Sequence, residues 1–517
     1  MENISAALVT VFDPTVIIVC VLSGILGIVI GSLPGLTATL GAALLVPFTF
    51  FLDPVPAVAS IITMATMAIF AGDIPGALLR MPGTPSSAAY VEDSYRLTLN
   101  GKGALALNVS LLASVIGALF GSLVLIFVAP IVGEFALTFT SFEYFWVAVL
   151  GLTAAVVISQ GSQVKGAIAL MAGLLMSTVG LDVSLGFPRF TFGSEALFRG
   201  IDFIPAMIGL FGVSEVLRNV SSRPTLLPSV PQMNSKGSGR AAVRDIWHHK
   251  GRLVQGNITG SIVGALPGAG ADIAAWVSYA IAKSTSKTGA AFGRGKGHTE
   301  PLIAAGAANN AAVGSAFVPT LAFGIPGDTI TAILIGVLLV KGIEPGPNLF
   351  IAQTDTLYAI YIVFMLANLL LLPLGFAAIR MSGLILRIPR PALMAAIIAL
   401  SVTGAYAINN GYVEVIIVLA LAIVGFMFER LRIPLAPVVL GLVLGPVVEA
   451  NFMQSVIKTN WDLTQFFSRP VSAVLIVLTV VLLAYPLISK VIRGVLAKRK
   501  IGRKQGSGTP TDAESGR

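Results

Sequence analysis

The chain has 517 residues, of which 56% are hydrophobic and only 11% charged. That balance leaves too little polar material to cover soluble domains of this total size, so a soluble enzyme or binding module is excluded and an integral membrane protein is expected. The 33 Lys and Arg outnumber the 24 Asp and Glu, but the basic residues gather in loops and in the tail "KVIRGVLAKRKIGRKQG", a pattern of cytoplasmic retention and anionic-lipid contact rather than of nucleic-acid binding.

In chain order, "MENISAALVTVFDP" has no basic stretch ahead of its apolar run, so the first helix is expected to stay rather than be cleaved. Cys20 is the only cysteine and sits in an apolar run, which excludes an internal disulfide or a multi-cysteine metal site. The first 79 residues carry no Lys or Arg, whereas Glu2, Asp13, Asp53 and Asp73 are present. The flanks of "GSLPGLTATLGAAL" (31–44) therefore favour the side opposite the basic loops. Next comes "IPGALLRMPGTPSSAA" from Ile74, and then apolar runs at Leu105 to Pro130 and Phe145 to Ser159. The basic, Pro- and Ser-rich stretch 218–252 reads as a linker between a first membrane repeat (1–217) and a second (253–489).

The second half opens on "GALPGAGADIAAWV" (264–277), between basic flanks at Arg252 and Lys283. Each arm around its Leu-Pro-Gly has about 14 residues and rises about 21 Å. Two such arms cannot each cross a core of roughly 30 Å, so a hairpin that enters and leaves by the cytoplasmic face is expected. "VPTLAFGIPGDTITAI" from Val318 aligns without gaps on the Ile74 stretch, placing Pro75 with Pro319 and Pro82 with Pro326. The Leu-Pro-Gly pair has a shorter offset, which puts an insertion in the "SKTGAAFGRGKGH" loop. Further apolar runs follow at Leu357 to Ala378, Ala392 to Ile408 and Val471 to Ile488, then a basic tail (490–517) expected to be cytoplasmic and disordered. Basic clusters at Lys283 to Lys296, Arg380 to Arg390 and Arg430 with Arg432 mark the same side, and Asn409 to Glu414 and Asn451 to Arg469 the other. The expectation is an all-α polytopic membrane protein of about 10–14 transmembrane or re-entrant helices, in two inverted-topology repeats with broken helices.

Proline removes a backbone donor and glycine opens unusual conformations, so each break frees N–H and C=O groups that lipid cannot satisfy. Helix N-termini starting at such breaks suit an anion, and unwound carbonyls suit a cation such as sodium. The substrate-binding candidates are Pro34, Gly35, Thr37 and Thr39; Gly83, Thr84, Ser86 and Ser87; Gly268 and Gly270; Asn309 and Asn310; and Gly327, Asp328 and Thr329. Asp272, Asn310 and Asp328 are the cation-coupling candidates, with sodium, where one is used, expected at the same positions. A cap for the helix after "PGAG" is the alternative reading of Asp272, and the two asparagines read equally as helix-to-helix glue among small residues. Arg80 reads as a substrate partner or as a membrane-edge anchor. Catalysis finds no support: His248, His249 and His298 fall in expected loops, no HExxH signature occurs, and "GRGKGH" lacks P-loop spacing.

With "GSLPGLTATLGAALLVPFTF", "MPGTPSSAA", "GALPGAGADIAAWVSYAIAK" and "AANNAAVGSAFVPTLAFGIPGDTITAILIGVLLVKGIEPGP" in hand, the sequence resembles the large membrane subunit of the tripartite tricarboxylate transporters. The resemblance covers most of 30–90 and 255–350. It implies a secondary transporter of the bacterial inner membrane importing an organic carboxylate, of di- or tricarboxylate type, on a sodium or proton gradient. It also implies a small four-helix membrane subunit and a periplasmic solute-binding protein as partners, and no organic cofactor. Asp272, Asn309, Asn310 and the Pro-Gly turns match the family's motifs. The chain departs from them in "AGDIPGALLR", and in Ala305 and Gly306 where many members have Pro-Glu, so citrate does not carry over. An ion channel and a non-transporting structural subunit remain the alternatives.

Overall fold

The computed structural model describes residues 2–158, 162–182, 186–221, 237–409 and 411–484. The tail from residue 490 and much of the linker lie outside them. The chain begins with α1 (Glu2–Val11), α2 (Pro14–Ser32), α3 (Ala38–Thr49), α4 (Pro54–Ala71), α5 (Asp73–Leu79), α6 (Val91–Leu99), α7 (Gly103–Ala136), α8 (Ser141–Ile158) and α9 (Gln163–Ser177). A span over Phe203–Ser221 follows, made of α10 (Phe203–Met207) and α11 (Ser214–Ser221) joined by a π-helical stretch, Ile208–Val213. Then come α12 (Ser238–His248), α13 (Lys250–Gly264), α14 (Gly270–Thr285), α15 (Glu300–Phe323) and α16 (Thr329–Val340). The chain continues with α17 (Leu349–Ala352), α18 (Thr354–Ile385), α19 (Arg390–Asn409), α20 (Tyr412–Arg430), α21 (Ala436–Lys458) and α22 (Gln465–Ser468). The strands among the described residues are one short antiparallel pair, Gly180–Leu181 against Pro188–Arg189. Nine helices of the described residues are long and apolar enough to cross a membrane, and five shorter apolar helices accompany them. The protein is a multi-pass, all-α membrane protein.

Both Leu-Pro-Gly motifs form a helix–break–helix. The second has short arms, α13 of 15 and α14 of 16 residues, each rising only about 22–24 Å. The first is lopsided: α2 has 19 residues and α3 only 12. α2 is therefore long enough for a crossing, which the sequence reading did not distinguish. In each motif the glycine after proline holds a positive φ, +93° at Gly35 and +81° at Gly268, a conformation that a side chain disfavours.

Both helix–break–helix units dock onto their neighbours through glycine. A methyl placed on Gly27 or Gly31 of α2 would lie 2.4 Å from the Met64 carbonyl oxygen or 2.2 Å from that of Ala68. On α13, Gly260 and Gly264 meet the Ala308 and Ala312 carbonyls of α15 at 2.3 and 2.5 Å. Gly31 and Gly264 each stand three residues before their Leu-Pro-Gly proline, and Ala68 and Ala312 each seven before the aligned Pro75 and Pro319. α7 and α15 approach as closely, with Gly117 against the Ala307 carbonyl at 2.2 Å and Gly121 against that of Ala311 at 2.4 Å. Without a hydrophobic drive between helices in lipid, small residues that let backbones touch are what bring helices together.

The linker is partly structured. α12 packs on α7, where the Asn108 amide donates to the Ser238 hydroxyl at 3.0 Å, and Ala242 and Ile246 join a core with Tyr90, Leu97 and Leu302. His248 consequently ends a helix rather than lying in a loop, His249 joins α12 to α13, and His298 remains in the loop before α15. That loop is pinned to α6: the Gly293 N–H donates to the buried Asp93 carboxylate at 2.9 Å, and the Asn100 amide to the Lys296 carbonyl at 3.2 Å.

Candidate functional site

The four sequence motifs converge on one cavity of about 140 Å³. Its wall includes Thr37, Ala38 and Thr39 from the first break, Thr84 and Pro85 from the first Pro-Gly turn, Gly268 to Asp272 from the second break, and Asp328 to Ile330 from the second Pro-Gly turn. Ile69, Ala436 and Leu440 complete it. Three helices start at the wall: α3 after Thr37, α14 at Gly270 and α16 after Asp328. Residues of each first turn line the cavity, which puts three positive dipole ends at its wall.

Local chemistry explains why the helices begin there. The Thr37 hydroxyl accepts from the Leu40 N–H at 3.1 Å, capping α3. Asp328 and Thr331 form a reciprocal capping box on α16: the Thr331 N–H donates to the Asp328 carboxylate and the Asp328 N–H to the Thr331 hydroxyl, both at 2.8 Å. Asp272 lies beside Ser86 and close enough to Asp328 for the two carboxylates to repel. No Lys, Arg or His is in the wall.

The breaks are also bonded to one another. The Gly268 N–H donates to the Gly327 carbonyl at 2.8 Å, and the hydroxyls of Thr39 and Thr329 share a hydrogen bond of 2.8 Å. A methyl on Gly270 would lie 2.8 Å from Asp328 Cβ, so glycine is what lets the second break close on the start of α16. In the first half the Gly83 N–H donates to the Gly72 carbonyl at 3.0 Å, and a methyl on Gly83 would lie 2.2 Å from the Gly31 carbonyl oxygen.

Thr37, Thr39, Thr84, Gly268, Gly270, Asp272, Asp328 and Thr329 thus stand in the wall. Other candidates stand behind it. Pro34 and Gly35 form the turn, whose Gly35 carbonyl accepts from Arg218 at 3.0 Å, and Arg218 also pairs with Glu215 and Glu429. Gly83 and Gly327 fix backbone turns, while the Ser86 hydroxyl shares a hydrogen bond of 3.1 Å with that of Thr84. The Ser87 hydroxyl donates to the Thr84 carbonyl at 2.8 Å. Asn309 and Asn310 are fully buried in α15. The Asn310 amide donates to the Asn309 side-chain oxygen and that of Asn309 to the Tyr90 hydroxyl at 3.2 Å, whereas the Asn310 Oδ1 has no partner. Arg80 ends α5 at φ 59° and pairs with Glu92 at 2.9 Å, away from the cavity. Sequence reasoning missed Ile69, Ala436 and Leu440, which carry no polar signal. It also missed Asp73, Tyr90 and Ser110, which meet only in the fold. Among the described residues no group of three or more His, Cys, Asp or Glu side chains is placed to hold a metal.

Residues 17–440 match the family model described as "Tripartite tricarboxylate transporter TctA family". An "Uncharacterized 52.8 kDa protein in TAR-I ttuC' 3'region" of Agrobacterium vitis is 32% identical over 483 residues, 92% of this chain and 94% of that protein. An "Uncharacterized protein in TAR-II ttuC' 3'region" of the same organism is 35% identical over 217 residues, 42% of this chain and 89% of that protein. No solved structure matches. The chain belongs to the TctA family, the large membrane subunits of tripartite tricarboxylate transporters.

Proposed function

We propose that the chain imports an organic carboxylate across the bacterial inner membrane, driven by a sodium or proton gradient. In this reading a periplasmic solute-binding protein delivers the substrate, a small four-helix membrane subunit completes the assembly, and the two halves are inverted repeats. The observation that carries the reading is the cavity, where three helix N-termini and two carboxylates share one wall. Helix termini with threonine hydroxyls suit substrate carboxylates. Asp272 and Asp328 would repel the same anion unless protons or sodium ions entered with it, so the arrangement ties anion binding to cation binding. At about 140 Å³ the space is close to the ~150 Å³ that holds a benzene ring, which favours the smaller members of the di- and tricarboxylate class.

The test is uptake of a labelled carboxylate panel into proteoliposomes holding the chain, its small subunit and its binding protein, under imposed sodium or proton gradients. Saturable uptake that needs the binding protein and collapses with one gradient is expected. Asp272→Asn should lower it by roughly tenfold or more, a factor that corresponds to about 1.4 kcal/mol, while inserting normally. Uptake unaffected by Asp272→Asn would support a structural role for that residue, and a non-saturable conductance would point to a channel.

A further inference from the structure

Asp73 opens α5, directly after the Gly72 break, and is only 3% exposed. Its Oδ1 accepts from the Tyr90 hydroxyl at 2.6 Å and its Oδ2 is bonded to the Ser110 hydroxyl at 2.5 Å. Tyr90 Oη accepts in turn from the Asn309 amide, so its single hydrogen is committed to Asp73. No ion pair found among the described residues includes Asp73.

The charged side chains on neighbouring elements are engaged elsewhere or, like Glu134 of α7 and Arg380 of α18, exposed. On α6, Glu92 pairs with Arg80 and Arg96, and Asp93 accepts from Gly293; on α15, Glu300 pairs with Arg252. α2 and α4 bear no charged side chain, and Cys20 of α2 faces Thr63. An ionised carboxylate buried among neutral donors is costly unless a positive charge joins it.

We propose that Asp73 is a proton-carrying carboxylate, a second coupling position behind the cavity and separate from Asp272 and Asp328. The heavy atoms serve both states. Without the proton, the Ser110 hydroxyl donates to Oδ2; with it, the Oδ2 hydroxyl donates to Ser110 Oγ, whose own hydrogen turns away. The proton arrives from water on one side of the membrane and returns to water on the other. Contact with the cavity runs through the backbone: the Gly72 carbonyl accepts from the Gly83 N–H at 3.0 Å, and a methyl on Gly72 would lie 2.6 Å from Thr84 Oγ1. Thr84 is in the wall.

The coupling role rests on the transport reading, but occupancy by a proton is testable without substrate. Infrared difference spectra of the full-length protein, recorded between pH steps, should show a carboxylic-acid C=O band that disappears in Asp73→Asn and persists in Asp272→Asn. Asparagine keeps the hydrogen-bond pattern of the loaded state, so the variant is expected to fold. If it does not, Tyr90→Phe retains the carboxylate and should shift the midpoint of the band. A band unchanged in Asp73→Asn, a midpoint unmoved by Tyr90→Phe, or displacement of the band by sodium ions at constant pH would overturn the assignment. If the wild type shows the band but takes up no carboxylate, the transport reading fails and the proton site stands.

Discussion

At the residue scale the glycines divide by what surrounds them. Gly31 sits with the Ala68 carbonyl where its Cβ would be, at 2.2 Å, whereas Gly239 on α12 has nothing within 4 Å and an ordinary helical backbone. Gly31→Ala must push α2 from α4 and should destabilise by about 2–3 kcal/mol, as overpacked sites do. Gly239→Ala should stabilise by about 0.5–1 kcal/mol by removing backbone entropy from the unfolded chain. Thermal unfolding of the two variants in the same detergent is expected to give shifts of opposite sign. Asp93 makes a second residue-scale case, since burial raises its pKa above the ordinary carboxylate value despite the Gly293 N–H and Tyr279 hydroxyl that favour its charged form. A raised value in the folded state means that folding takes up a proton. Its contribution is complete below the unfolded value near 3.9 and lost as pH rises through the folded one. Melting temperature measured against pH should therefore climb less toward acid in Asp93→Asn than in the wild type.

At the element scale the two helix–break–helix units explain which parts of the site were legible. Proline and glycine inside apolar runs announce a break, and threonine or aspartate just after one announces a cap. That is why Thr37, Thr39, Asp272, Asp328 and Thr329 were accessible from sequence and prove to share a cavity. The lopsided first unit was not: "PTVIIVCVLSGILGIVIGS" is apolar throughout, whereas α13 opens on "KGRLVQGN", whose polar side chains shorten the stretch lipid can cover. Gly27 and Gly31, four apart, carried a packing signal that went unread beside the louder Leu-Pro-Gly. The hydroxyl bridge between Thr39 and Thr329, 2.8 Å long, joins residues 290 positions apart and had no local signature. Thr39→Val and Thr329→Val should each destabilise the protein, and the double variant should lose less than their sum by about 0.5–1.5 kcal/mol. A thermodynamic cycle on the four proteins measures this, and strict additivity would show that the bond contributes nothing.

For the whole molecule, membrane character and helical class followed from composition alone, because lipid admits few ways to satisfy a backbone. The meeting of Asp73, Tyr90 and Ser110 with Asn309 did not, since only Asn309 stood out in its own stretch and the group exists only once α5, α7 and α15 are packed. The α7–α15 seam has a further consequence. Gly117 and Gly121 receive the carbonyls of Ala307 and Ala311, and Gly314 meets the backbone of Gly121 in return, much as the teeth of a key meet its wards. One turn further along, Leu125 replaces glycine, with a bulk the seam cannot pass. α7 and α15 thus meet backbone to backbone, and moving either along the other by a turn would drive a side chain into a carbonyl, so this seam resists sliding.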